Sequence, residues 1–287
     1  MPYYIFAWIA SISAGIYIAI SKITSKYAIS NPWYFNFLFS AIVLLFIIPI
    51  ALFNHASFPT DWTNIGISAV FAALFNISLV LSVYSLDITV LSPLFNFRTV
   101  FAVLLGVIFL NEHLSTYQWL IFLMIVIVGM FVTIDEKMSL KSFFKPSIAI
   151  GLCTMLFLAL NNVFIKKSLI HNSLWTSSMW IFIISFGITL FTFPLFYKDL
   201  KKTKMKQIIP IVAMGFFAAI TNLFSNQAYK TSVGITSVIM SIPFSMIIVF
   251  ILSLFIPKFL EKHTVKIYLI RFVCAAIMIY GALQLSR

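Results

Sequence analysis

The chain has 287 residues, 62% hydrophobic and 9% charged, and its mean hydropathy of +1.08 leaves too few polar side chains to cover a soluble globule. Its formal net charge of +12 would point to nucleic acid on a soluble domain. Here the lysines fall in short gaps between apolar runs, where they orient a chain in lipid instead.

Spanning the hydrocarbon takes about 20 apolar residues per helix. Cutting the chain at charges, Pro, Gly and Asn predicts ten helices, over residues 2–21, 33–53, 62–85, 89–110, 115–134, 147–166, 174–196, 207–228, 233–256 and 265–285. The first run, "MPYYIFAWIASISAGIYIAISK", lacks the basic leading region of a secretory signal and is read as a retained helix. The stretch from Thr60 to Trp62, together with Ser115 and Thr264, offers N-caps for the third, fifth and tenth helices. Pro32, Pro146 and Pro257 sit at segment edges, whereas Pro93 and Pro243 fall within the fourth and ninth helices and can kink them. Cys153 and Cys274 lie in apolar runs and are expected to stay free, with no disulfide and no metal.

A weak internal repeat divides these helices. "FAALFN" at Phe71 to Asn76 returns as "FAAITN" at Phe217 to Asn222, and "IAISKITSK" from Ile18 aligns with "LALNNVFIK" from Leu158. The expected units are residues 1–138 and 139–287, five helices each. An odd number of crossings turns the second unit over, so the expected fold is an all-α membrane protein with ten transmembrane helices as two inverted repeats around a central cavity.

Most lysines follow odd-numbered helices, Lys22 and Lys26 after the first among them. By the positive-inside rule both termini are expected outside a cytoplasmic (inner) membrane. The acids Asp61, Asp87, Glu112, Asp135, Glu136, Asp199 and Glu261 all lie at loops or helix ends. Without an intramembrane carboxylate to act as an ion site, facilitated diffusion or exchange is the simpler expectation.

Two arginines fall inside apolar segments. Arg271, about two turns into the tenth helix, is expected to snorkel to the headgroups. Arg98 lies roughly 15 Å from either end of its segment at 1.5 Å per residue, and exposing it to lipid would cost at least about 2.5–3.5 kcal/mol. It must therefore face protein or water, either tying helices together or meeting an anionic substrate group in a cavity, and the second is favoured. Asn76, Asn161, Asn162, Asn222, Asn226 and Ser241 are expected to line the same cavity, with Tyr17 added on its spacing from Ser13 and Ser21. Any one of them alone would more simply be interhelical glue. Tyr229 and Trp180 are assigned to packing or interface anchoring.

The Pro-bearing fourth helix and "FLNEHLSTYQWLIFLMIVIVGMFV" from Phe109 to Val132 resemble the EamA-type carriers of the drug/metabolite transporter superfamily. Glu112, Leu114, Ser115, Gln118 and Gly129 match that pattern, with Asn111 in place of a Gly. The second half keeps Glu261, Thr264 and Gly281 but carries an insertion. The resemblance implies a basket of inner helices around a cavity, with the fifth and tenth helices outside. It does not name a substrate.

The expected function is a secondary transporter of a small carboxylate-bearing metabolite, an amino acid or a derivative such as S-adenosylmethionine, needing no cofactor. A carrier of phosphorylated or nucleotide-linked sugars stands as the alternative. It is disfavoured because only Arg98 lies at depth. A membrane-embedded lipid enzyme is remote, since His55, His113, His171 and His263 are scattered over separate loops. The partners expected are a small solute and the bilayer, with monomer and homodimer both open.

Overall fold

The structure, a computed structural model, describes residues 3–110, 115–133, 143–201, 204–231, 236, 239–255 and 265–285. Among these residues there is helix and turn but no strand. Asn111, Glu112, His113, Leu114, Asp135, Glu136, Pro257, Glu261, His263 and Thr264, which figured in the sequence reading, lie outside the described residues.

Local chemistry sets the helix starts. α1 (Tyr3–Tyr27) leads into α2 (Pro32–Phe53), where Asn31 accepts from the backbone of Trp33 and Pro32 occupies the first turn. α3 (Trp62–Ser85) is capped by Asp61, whose side chain accepts from the Asn64 N–H. Asn64 also donates its side-chain amide to Asp61, and these bonds hold the exposed Asp61 carboxyl below the usual carboxylate range. α6 (Thr116–Val132) opens with a capping box between Ser115 and Gln118, and α7 (Pro146–His171) carries its proline where the missing N–H has no bond to lose. α8 (Leu174–Thr189) tightens into a 3-10 stretch, Leu190–Leu195. The short α9 (Tyr197–Leu200) and the long α10 (Met205–Tyr229) follow. The last helices are α11 (Phe244–Phe255) and α12 (Val265–Leu285).

The stretch expected as one helix over 89–110 is broken into α4 (Ile88–Leu94) and α5 (Phe97–Leu110). Pro93 supplies no N–H, and beyond it the N–H groups of Phe95, Asn96, Arg98 and Thr99 each bond to the carbonyl three residues back. The Asn96 side chain adds a second bond to the same Pro93 carbonyl at 3.0 Å. Ahead of α11, Ser241 and Ile242 form a turn before Pro243. The hydroxyls of Ser92 and Ser245 hydrogen-bond, joining the two broken helices next to their prolines.

Among the described residues, seven helices are long and apolar enough to cross a membrane: Tyr3–Tyr27, Pro32–Phe53, Trp62–Ser85, Pro146–His171, Leu174–Leu195, Gln207–Tyr229 and Val265–Gln284. Ile88–Ala102, Thr116–Val132 and Phe244–Ser253 are shorter apolar helices. α1 packs along α10 and α3 along α7, while α2 sits against α8 and α10; α6 and α12 pair with each other. Close approach has a local cause at Gly15, where an added Cβ would overlap the Cβ of Phe244 and α1 meets the break before α11.

Two cations stand elsewhere than the sequence reading expected. Lys22 is not in a loop after the first helix. α1 runs on to Tyr27, and the buried Nζ of Lys22 donates to the carbonyls of Val83 at 3.0 Å and Leu86 at 2.7 Å, at the end of α3. Arg271 does not snorkel. It is 3% exposed, donates to the Thr89 hydroxyl at 2.6 Å and pairs with Asp87 at 3.5 Å. A carboxylate at the head of α4 is nearer than the headgroups, and burial beside it answers the charge. Lys22 and Arg271 thus clamp the α3–α4 corner from two sides.

Cross-links gather the loops into two faces. On one, the Asn31 side chain donates to Asp199 at 2.6 Å and to the Leu195 carbonyl at 3.0 Å, and Gln207 donates to the Ala28 carbonyl at 2.7 Å. Lys26, Lys198, Lys201 and Lys204 lie in or beside these segments, so we term it the basic face. On the opposite face Thr60 bonds to Asn172 and to the His171 carbonyl, and Ser57 bonds to Thr176.

Candidate functional site: a polar cavity between α1, α3, α7 and α10

A cavity of about 1150 Å³, its mouth included, lies between the helices. α1, α2, α3, α7, α8 and α10, the α4–α5 break and the turn before α11 all contribute to its wall, whereas α6 and α12 do not. On α1 the wall residues run from Ser11 to Ile18, about midway along the helix. On α10 it extends to the last residue, Tyr229. On α7, α8 and α10 the wall residues lie nearer the helix ends away from the basic face, whereas on α1 and α3 they are central. Between the cavity and the basic face stand aromatic contacts: Phe35 edge-on to Tyr84, Phe37 stacked on Phe196 at 4.8 Å, and the Tyr84 hydroxyl bonded to the Ile29 carbonyl.

Arg98 is the second residue of α5, just past the tightened turn, and it lies in the cavity wall. It is 2% exposed and donates Nη1 to the Tyr229 hydroxyl at 3.4 Å. The Asn162 side chain donates to the same hydroxyl at 3.3 Å. Its neighbour Asn161 accepts from Ser68 at 2.7 Å, pinning α7 to α3. On α10, Asn226 donates to Ser178 at 3.3 Å, and Asn222 donates to the Ala218 carbonyl of its own helix at 2.8 Å. Asn76 lines the wall from α3, and Tyr17 lines it from α1 with its ring stacked on Phe39. Ser241 is buried in the turn before Pro243 and is not in the wall. Met240, Ile242 and Ser245 around it are.

Sequence reasoning assigned Tyr229 to packing and missed Ser40, Ser178 and Thr221. Tyr229 carried a usable signal, since it lies three residues after Asn226 and seven after Asn222, on one helical face. Phe39, Phe75, Phe95 and Phe182 form the apolar part of the wall.

The arrangement suits reversible capture. A guanidinium and neutral amides converge on a space walled by aromatic rings, and a planar fork of N–H donors matches the geometry of a carboxylate. Among the described residues no group of three His, Cys, Asp or Glu side chains could hold a metal.

The EamA-like transporter family model matches residues 1–134. This part of the chain is similar to the EamA-like transporter family. A solved structure described only as "Crystal structure of protein" is similar over 97% of this chain and 97% of its own, at a TM-score of 0.63 and 14% identity, which extends the likeness of fold over the second half as well. No curated protein matches. The apolar helices, with the likeness to the EamA-like family over residues 1–134, indicate a multi-pass membrane protein.

Proposed function

We propose that the protein is a secondary carrier for a small carboxylate-bearing metabolite, with an amino acid or amino-acid derivative as the solute. The observation that carries this reading is the buried guanidinium of Arg98 in the wall of a cavity at membrane depth, beside the amide of Asn162. The solute carboxylate meets Arg98, and Asn76, Asn161, Asn222 and Asn226 bind its remaining polar groups. Phe39, Phe75 and Tyr17 face its apolar part. Transport proceeds by exchange or facilitated diffusion.

On this reading the three shorter apolar helices also cross the bilayer, giving ten crossings in two inverted repeats, residues 1–138 and 139–287. The repeat register supports it. Aligning Ile18 with Leu158 sets Lys22 against Asn162, and aligning Phe71 with Phe217 sets Val83 against Tyr229. Lys22 bonds Val83, and Asn162 bonds Tyr229. Helix pairings exchange in the same way, α1 on α10 for α7 on α3 and α1 on α11 for α7 on α5. With the basic face cytoplasmic, both termini lie outside and the cavity opens outward.

The test is a thermal-stability screen of the purified protein against amino acids, S-adenosylmethionine and sugar phosphates. Stabilisation by a carboxylate-bearing solute supports the reading, since a ligand that binds only the folded state raises the midpoint. Stabilisation by sugar phosphates alone would replace it with the phosphorylated-substrate alternative.

A further inference from the structure

One oxygen atom in the cavity gathers the guanidinium of Arg98 and the amide of Asn162. The Tyr229 hydroxyl accepts from Arg98 Nη1 at 3.4 Å and from Asn162 Nδ2 at 3.3 Å. The donors come from α5 and α7, and the acceptor from the last residue of α10. No local sequence constraint brings three such groups together, and Tyr229 itself is 2% exposed.

Both bonds are long. Neutral N–H···O bonds cluster near 2.9–3.0 Å, and a guanidinium closes to about 2.7–2.9 Å on a charged oxygen. A phenol oxygen is neutral and single. It satisfies two donors loosely, where the paired oxygens of a carboxylate would take one donor each and carry a charge for the guanidinium.

We infer that the Tyr229 hydroxyl is a stand-in for the solute's carboxylate: it occupies the anion subsite formed by Arg98 and Asn162 while the cavity is empty and is displaced when a carboxylate binds. This rests on the carboxylate reading above and assigns Tyr229 a specificity role within it. The phenol holds both donors on one oxygen and keeps the guanidinium hydrogen-bonded until a carboxylate arrives. A carboxylate brings the guanidinium an opposite charge and a second oxygen, which a neutral solute does not, so it displaces the ring far more readily. Neutral isosteres are disfavoured because a carboxamide exchanges one neutral acceptor oxygen for another and gains no charge-assisted bond. Asn162 is then a positioning partner as well as a ligand, since it marks the second oxygen's place.

The plainer reading of the same contacts is a strut tying α5, α7 and α10 together. Three variants and one resonance separate the two. Wild type, Tyr229→Phe and Arg98→Gln are purified with tyrosine labelled at Cζ, and the Tyr229 signal is assigned by its loss in Tyr229→Phe. The probes are 3-phenylpropanoate, chosen for the aromatic wall, acetate, and 3-phenylpropanamide as the neutral isostere.

A stand-in predicts that either carboxylate moves the Tyr229 signal toward its position in Arg98→Gln while the amide leaves it in place. It also predicts that Tyr229→Phe, freed of the competing oxygen, binds 3-phenylpropanoate up to about tenfold more tightly. A signal unmoved by both carboxylates at about 50 mM, which is weaker binding than any working carrier site, would overturn the inference. So would equal or weaker carboxylate binding by Tyr229→Phe, which is what a strut gives. If Arg98→Gln binds the carboxylates as well as wild type does, the carboxylate reading itself fails. If it loses them while Tyr229→Phe gains nothing, only the stand-in role fails.

Discussion

The Nζ of Lys22 lies 2.7 Å from the carbonyl oxygen of Leu86, the residue that closes α3. A lysine from α1 thereby serves as a C-cap for another helix. Its charge sits at the negative end of the α3 dipole, where a cation is favoured.

Replacing Lys22 with Met removes the bonds to Val83 and Leu86 and leaves helix-end carbonyls unsatisfied in a place water does not reach. Hydrogen bonds to charged groups contribute about 1.5–3 kcal/mol each. Lys22→Met should therefore lower the thermal midpoint of the purified protein by several degrees. An unchanged midpoint would show that the α3–α4 corner does not depend on α1.

Arg271 and Arg98 should separate cleanly by readout. Arg271→Gln breaks a buried pair with Asp87 and the bond to Thr89, so its effect falls on stability, with a cycle against Asp87→Asn expected to give a coupling of about 1–3 kcal/mol. Solute affinity per folded molecule should stay close to wild type. Arg98→Gln should do the reverse, sparing the midpoint more than the affinity. Equal loss of affinity in both variants would place Arg271 in the site as well.

Gly15 sets the distance between α1 and the turn before α11, and a methyl group there meets Phe244 and the backbone of Ser245. Overpacking of this kind typically costs about 1–3 kcal/mol. Gly15→Ala should destabilise the protein and slow exchange, while Gly66→Ala on α3, with open space around it, should leave both alone. Matching effects at the two positions would argue that helix flexibility rather than close packing is the cause.

Much of the helix plan was legible because local chemistry decides it. Asp61, Ser115 and Pro146 mark starts through capping and a dispensable N–H, and Pro93 and Pro243 announce breaks. The polar side chains singled out at membrane depth stand along the cavity, Ser241 excepted, because polar groups among apolar helices gather where water or one another can satisfy them. Lys22 and Arg271 were misplaced for one shared reason. A charge near a predicted helix end looks free to reach the surface, and only the fold reveals that α1 continues past Lys22 or that Asp87 waits beside Arg271. Tyr229 was missed because the usual packing role of an aromatic outweighed the helical spacing it shares with Asn222 and Asn226. Its role emerges only when α5, α7 and α10 converge.

The most direct test of the account is counterflow into liposomes containing the purified protein, preloaded with a mixture of amino acids and S-adenosylmethionine, with wild type set beside Arg98→Gln at equal incorporation. The prediction is exchange of at least one of these solutes by wild type without an imposed ion gradient, and a loss of roughly 10–100-fold or more in Arg98→Gln, the range expected when a charged hydrogen-bond partner worth about 1.5–3 kcal/mol is removed. Exchange that survives in Arg98→Gln, or wild-type silence toward every carboxylate in the mixture, would contradict the claim that this arginine reads the solute.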